Sequence, residues 1–142
     1  MNDDFNKQNV ICFDFGTKNI GIAIGQCITC TAQPITELKS FNEIPDWKKI
    51  KKIFIEWNPS IAIVGLPLNM DGTEYLLTYK AKIFANQIFK LFKIKVFLHD
   101  ERLTTVEARS LLFSLGGYKF IKKIHSTSAI IILESWLRKN KK

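Results

Sequence analysis

Residues 10–24 read VICFDFGTKNIGIAI, and everything else in the chain is organised around them. Val10 to Phe15 is a short apolar run that carries one charge, Asp14, and is stopped by Gly16. Ile20 to Ile24 alternates large and small side chains, the period of two that marks a strand. The pair therefore predicts two strands joined by a tight connection. An ionised carboxylate inside such a run is costly unless it is paired or binds a cation. Asp14 is thus the first candidate for chemistry, the plainer reading being a cap on the turn at Gly16-Thr17.

Working outward, Ile28 to Leu38 is rich in Thr and Ile and extends the pair to a three-stranded antiparallel meander. A helix begins near Pro45-Asp46, residues that suit a first turn, and carries Trp47, Ile50, Ile53, Phe54 and Trp57 on one face. Lys48, Lys49, Lys51 and Lys52 fall mainly on the other side, and Asn58-Pro59 stops it. Ile61–Gly65 reads as a buried strand and Leu66–Thr73 as a loop. A second helix runs from Glu74 to Phe92, with Leu77, Ala81, Phe84, Ala85, Ile88, Phe89 and Phe92 on its inner stripe. Val96–Leu98 is a strand ending in His99-Asp100-Glu101. Thr104 and Glu107 form a capping box for a helix that Gly116-Gly117 breaks. A basic loop, Lys119 to Lys123, leads to a last helix over Ser126–Arg138, apolar nearly all round at Ala129–Leu133. The order β-β-β-α-β-α-β-α-α predicts an α/β fold, a mixed five-stranded sheet with helices on both faces. That order is the one found in ribonuclease H-like folds.

Composition sets the limits. The 142 residues are expected to form one domain, large enough to fold without disulfide or metal. The formal charge is +8, which favours a polyanionic partner, nucleic acid first. Eighteen of the 21 basic residues are Lys, and the Lys and Ile bias is partly compositional, so charge alone fixes no chemistry. MNDDFNKQNV has two acids and no apolar core, unlike a signal peptide, and no stretch reads as a membrane span. With three cysteines, Cys12, Cys27 and Cys30, the expectation is a reduced, cytoplasmic protein. Cys27 and Cys30 form a CxxC without a second pair and read as ordinary strand residues.

Two further positions join Asp14 as candidates. Asp100-Glu101-Arg102 directly follows the last strand, and alternation lets only one of its two acids face a site shared with Asp14. Arg102 is placed to neutralise the idle acid or to bind a phosphate. His125 precedes Ser126 at the start of the last helix, where the helix N-terminus disfavours the protonated imidazole. Clustered carboxylates that bind Mg²⁺ suit phosphodiester hydrolysis. No Ser-His-Asp arrangement, Walker loop or HExxH motif supports another hydrolytic mechanism.

The chain resembles the YqgF, or RuvX-like, family of pre-16S rRNA nucleases, a branch of the RuvC and ribonuclease H-like superfamily. The resemblance rests on Phe13–Gly25 (FDFGTKNIGIAIG), Ile63–Glu74 (IVGLPLNMDGTE), Leu98–Arg109 (LHDERLTTVEAR), Gly116-Gly117-Tyr118 and Ser126–Leu137 (STSAIIILESWL), in this order over nearly the whole chain. It implies a cytoplasmic bacterial nuclease that trims the 5′ end of the small-subunit rRNA precursor, with a junction-resolving activity on branched DNA attributed to the family by analogy. It carries the acidic site to Asp14 and Glu101, with Asp100 the less favoured partner. The family's third acid opens the last helix in an Asp-Ser step. Here that step reads His125-Ser126, after a basic loop that is shorter by a couple of residues.

The exchange removes one negative charge from a site for divalent cations. Mg²⁺ prefers oxygen ligands, and imidazole suits Mn²⁺ or later metals better. The expected catalytic set is Asp14, Glu101, His125 and Asp100, and the expected ligands of Mg²⁺ or Mn²⁺ are Asp14, Glu101 and His125. Lys18, Asn69, Thr73, Arg102, Arg109, Lys122 and Lys123 are the expected substrate contacts. Gly72 is read as permitting close backbone approach. In the equally weighted alternative this segment is a plain loop with Asp71 or Thr73 as helix cap. The expected partner is structured RNA, either pre-16S rRNA or a pre-ribosomal particle, with branched DNA as the second substrate and the protein a monomer or homodimer. A catalytically weakened RNA- or ribosome-binding module is the alternative that the His125 exchange raises.

Overall fold

The structure is a computed structural model that describes residues 9–26, 31–100 and 124–139. In chain order the elements are β1 (Asn9–Phe15), β2 (Asn19–Gln26), β3 (Thr31–Lys39), α1 (Trp47–Trp57), β4 (Ile61–Leu66), α2 (Leu76–Phe92), β5 (Lys95–Asp100) and α3 (Ile124–Lys139). They form a five-stranded sheet in the order β3-β2-β1-β4-β5. β1 pairs antiparallel with β2 and parallel with β4, and β4 pairs parallel with β5. This is the mixed sheet expected from the sequence, with β1 at its centre. The helix expected after Thr104 lies outside the described residues, as do Cys27 and Cys30.

Alternation along β1 divides the core. Ile11, Phe13 and Phe15 join Ile20, Ile22 and Ile24 of β2 beneath α1 and α2, which contribute Ile50, Phe54, Phe84 and Ile88. Phe13 is fully buried among rings: its centroid lies 5.2 Å from that of Phe84, edge to face, and 6.3 Å from that of Phe54. Val10 and Cys12 point the other way, to a second cluster with Ala23, Ile61 and Ile63 under Ala129, Ile132, Leu133, Trp136 and Leu137 of α3. The heavy burial expected of Ala129–Leu133 is therefore observed. No helix among the described residues is long and apolar enough to cross a membrane.

Local signals explain the element ends. Asp46 caps α1 by accepting a hydrogen bond from the Lys49 backbone N–H at 3.2 Å. Asn58 ends the helix in the left-handed region at φ 46°, its N–H bonded to the Phe54 carbonyl. α2 starts two residues later than the sequence suggests. Tyr75 is its cap, and the fully buried Thr78 hydroxyl accepts from the Tyr75 N–H and donates to the Pro67 carbonyl. Phe89, placed on the inner stripe by spacing, is 54% exposed. The sheet covers only part of the width of α2, and its buried stripe is Ala81, Phe84, Ala85 and Ile88.

Candidate active site

β1, β4 and β5 run parallel, so their carboxyl ends share one edge of the sheet. Open sheets of this kind bind ligands outside the carboxyl ends of their strands. Asp14 stands at that edge in the central strand, with only 8% of its surface exposed. It alternates with Phe13 and Phe15 and so belongs to the face that α3 covers.

Both neighbours of Asp14 in the sheet are glycines. Asp14 pairs with Gly21 of β2. On the other side the register Phe13–Val64 brings Asp14 level with Gly65 of β4. Gly65 is in turn paired with His99 of β5. Beyond Gly21, the register continues to Glu37 of β3. The row across the sheet is thus Glu37, Gly21, Asp14, Gly65, His99. A carboxylate set between two glycines has no Cβ beside it on either neighbouring strand. Glycine inside a strand often marks a place where a ligand or another backbone approaches closely.

Asp100 is brought to the same edge but to the other face. It pairs with Leu66, one step beyond the Gly65–His99 pair, and so shares a face with Val64 and Phe15. It is exposed. His99, 9% exposed, is the β5 side chain that shares Asp14's face. Sequence reading noted His99 only as part of a strand end. Register between strands far apart in sequence had to be known before its face could be assigned.

Lys18 lies in the β1–β2 connection next to Asp14 and is exposed, and its carbonyl accepts the Ser40 N–H at 2.8 Å. The loop after β4 is internally braced. Asn69 Nδ2 donates to Thr73 Oγ1 at 3.0 Å, and the Thr73 hydroxyl donates to Asp71 Oδ1 at 2.6 Å. Asp71 Oδ1 also accepts the Thr73 N–H at 2.9 Å. The Asn69 N–H binds the Thr73 carbonyl, and the Gly72 N–H binds the Asn69 carbonyl. Gly72 has φ 89°, so glycine is needed there for the backbone itself. Neither Asp71 nor Thr73 caps α2. Together they close a polar turn at the edge where β4 leaves the sheet, beside β1.

Glu101, Arg102, Arg109, Lys122 and Lys123 lie outside the described residues. His125 falls in the first turn of α3, the helix that packs on Asp14's face, and its side chain is also outside them. Among the described residues no group of three His, Cys, Asp or Glu is arranged to hold a metal ion. Among the described residues Asp14 is the buried carboxylate, and its oxygens fit one ligand position of a divalent cation.

A family model described as "RuvX: Holliday junction resolvase" matches residues 8–139. A protein of Proteus mirabilis named "Putative pre-16S rRNA nuclease" is 54% identical over 135 residues, 94% of this chain and 97% of that protein. Among solved structures, the fowlpox virus Holliday junction resolvase superposes with a TM-score of 0.56 at 15% identity, covering 92% of this chain and 98% of that one. Thermus thermophilus RuvC, solved with a Holliday junction substrate, superposes at 0.54 with 13% identity, covering 93% and 94%. At such low identity these two similarities establish the fold, which is the ribonuclease H-like arrangement expected from the element order.

Proposed function

The chain belongs to the RuvX family, and on that premise we propose that it is a metal-dependent nuclease that hydrolyses phosphodiester bonds during 5′-end maturation of pre-16S rRNA. The observation that carries this reading is Asp14: a carboxylate buried in the central strand at the ligand-binding edge, with glycines on both sides. A structural role alone does not call for a charge there, where every other inward residue from Val10 to Phe15 is apolar. The close relatives named for pre-16S rRNA cleavage supply the substrate class.

We assign the ligands of Mg²⁺ or Mn²⁺ to Asp14, Glu101 and His125. Glu101 is preferred to Asp100 because the register gives Asp100 to the face opposite Asp14. When bound, a divalent cation supplies Lewis-acid activation of water and charge stabilisation at the phosphate. The chain's own part is to hold the phosphate backbone against an acidic centre. We assign that part to Lys18, Arg102, Arg109, Lys122 and Lys123, with Asn69 and Thr73 positioned by their turn. Bases are then selected by the shape of the RNA or its particle, since contacts to phosphate carry no sequence information.

The test is cleavage of a 5′-extended small-subunit rRNA precursor with Mg²⁺, Mn²⁺ or EDTA, by wild type, Asp14→Ala and His125→Asp. Cation-dependent cleavage that vanishes in Asp14→Ala is expected, and His125→Asp shifts the preference toward Mg²⁺. Cleavage that survives Asp14→Ala overturns the site. The family description and the resolvase folds favour branched DNA as a second reading. A four-way DNA junction in the same assay decides it: faster cleavage of the junction than of the precursor reverses the order of the two substrates.

A further inference from the structure

His99 is a buried imidazole on Asp14's face of the sheet. α3 lies over β1, β2 and β3 and barely meets β4, so His99 is not simply a member of the helix-packed stripe. On β5 the residue that meets α3 is Phe97, whose ring centroid lies 5.6 Å from that of Trp136. His99 stands two positions further along the same face, level with Asp14. Two strand spacings separate their backbones, about 10 Å. In the register, Gly65 lies between them.

Gly65 is not there for its backbone. Among the described residues the glycine with positive φ is Gly72, so the conformation at position 65 is one that alanine or valine adopts freely. Strands favour β-branched residues, and this strand otherwise has them at Ile61, Ile63 and Val64. What glycine supplies at 65 is the absence of a Cβ. No Cβ at position 65 then stands between the Asp14 and His99 side chains.

We propose that His99 is a positioning residue of the Asp14 site, orienting the Asp14 carboxylate from across Gly65. The role rests on the nuclease reading of Asp14. Carboxylates that bind cations are themselves held by hydrogen-bond partners, and loss of such a partner costs about 10–100-fold in metal affinity or activity. An imidazole reaches further from a strand than Asn, and carries a donor at a fixed angle.

The experiment compares His99→Leu, His99→Asn, His99→Gln, Gly65→Ala and Asp14→Asn in the full chain. Its readouts are kcat and KM on the rRNA precursor, Mn²⁺ affinity by electron paramagnetic resonance, and thermal unfolding. His99→Leu is expected to lower kcat and Mn²⁺ affinity about 10–100-fold with KM nearly unchanged. One of the two amide variants restores most of the loss, and which one does so identifies the ring nitrogen that is used. Gly65→Ala lowers kcat and Mn²⁺ affinity without lowering the unfolding temperature. Wild-type kcat and Mn²⁺ affinity in a folded His99→Leu overturns the proposal, as does equal loss in the Leu, Asn and Gln variants. Should His99→Leu not fold, wild-type values in Gly65→Ala overturn it. Full cleavage by Asp14→Asn overturns the nuclease site itself, a result distinct from failure of His99 alone.

Discussion

Phe13 and Asp14 are adjacent in one strand and both buried, yet they answer to different demands. Phe13 faces α1 and α2, where each neighbouring position is apolar and rings meet at 5.2 and 6.3 Å. Asp14 faces the other way, between two glycines, at the edge where three parallel strands end. On the first face β1 places only apolar side chains, Ile11, Phe13 and Phe15. The second begins as core at Val10 and Cys12 and becomes a site at Asp14. Burial by itself therefore says little about role in this molecule, and the neighbours across the sheet say much more.

The sharpest way to break the contrast is to truncate each residue in turn. Phe13→Ala removes a fully buried ring from the centre of the larger cluster and is expected to cost about 3–5 kcal/mol, measured by urea unfolding. Its folded fraction should still cleave RNA. Asp14→Asn is expected to do the reverse. Cleavage should fall by about 10³-fold, equivalent to about 4 kcal/mol of barrier, while stability stays the same or rises because a buried charge has been removed. A large stability loss in Asp14→Asn would make the carboxylate a structural member and erase the distinction between the faces.

Much of this is legible in the amino-acid sequence. The run around Asp14, the alternation of Ile20–Ile24 and the 3.6-residue spacing of Trp47–Trp57 are local signals, and each yielded its element. Phe89 misled because spacing shows which face of a helix is apolar and not how wide the surface beneath it is. His99 and Gly65 were not legible for a stronger reason. Their meaning depends on register between β1, β4 and β5, segments joined by helices, and nothing local fixes which residues of such strands lie level. Asp100 shows the same limit: alternation stated that only one acid of the pair shares Asp14's face, and register was needed to say which.

The turn after β4 offers a smaller test, on the site's side of the comparison. Thr73 both accepts from Asn69 and donates to Asp71. Thr73→Val keeps the shape and removes both bonds. If the turn is a pre-formed contact for the phosphate backbone, KM for the precursor should rise about tenfold, some 1.4 kcal/mol, with kcat held within a factor of two or so. A change confined to thermal stability would return the turn to the plain loop that the sequence also allowed.

The smallest effect lies on the packing side. Asp46 caps α1 through the Lys49 N–H, far along the chain from every residue assigned to chemistry. Asp46→Ala should cost about 1 kcal/mol, the usual value for a lost N-cap. It should leave kcat, KM and Mn²⁺ affinity where they were, because the bond it removes is local to the first turn of α1. Helix α1 meets β1 on the Phe13 side, through the apolar cluster and through a cavity that Pro45 and Trp47 line with Phe15 and Thr17. A fall in kcat for Asp46→Ala, at temperatures where the variant is fully folded, would therefore mean that the two faces of β1 are mechanically coupled, with strain on the Phe13 side reaching Asp14 through the strand they share.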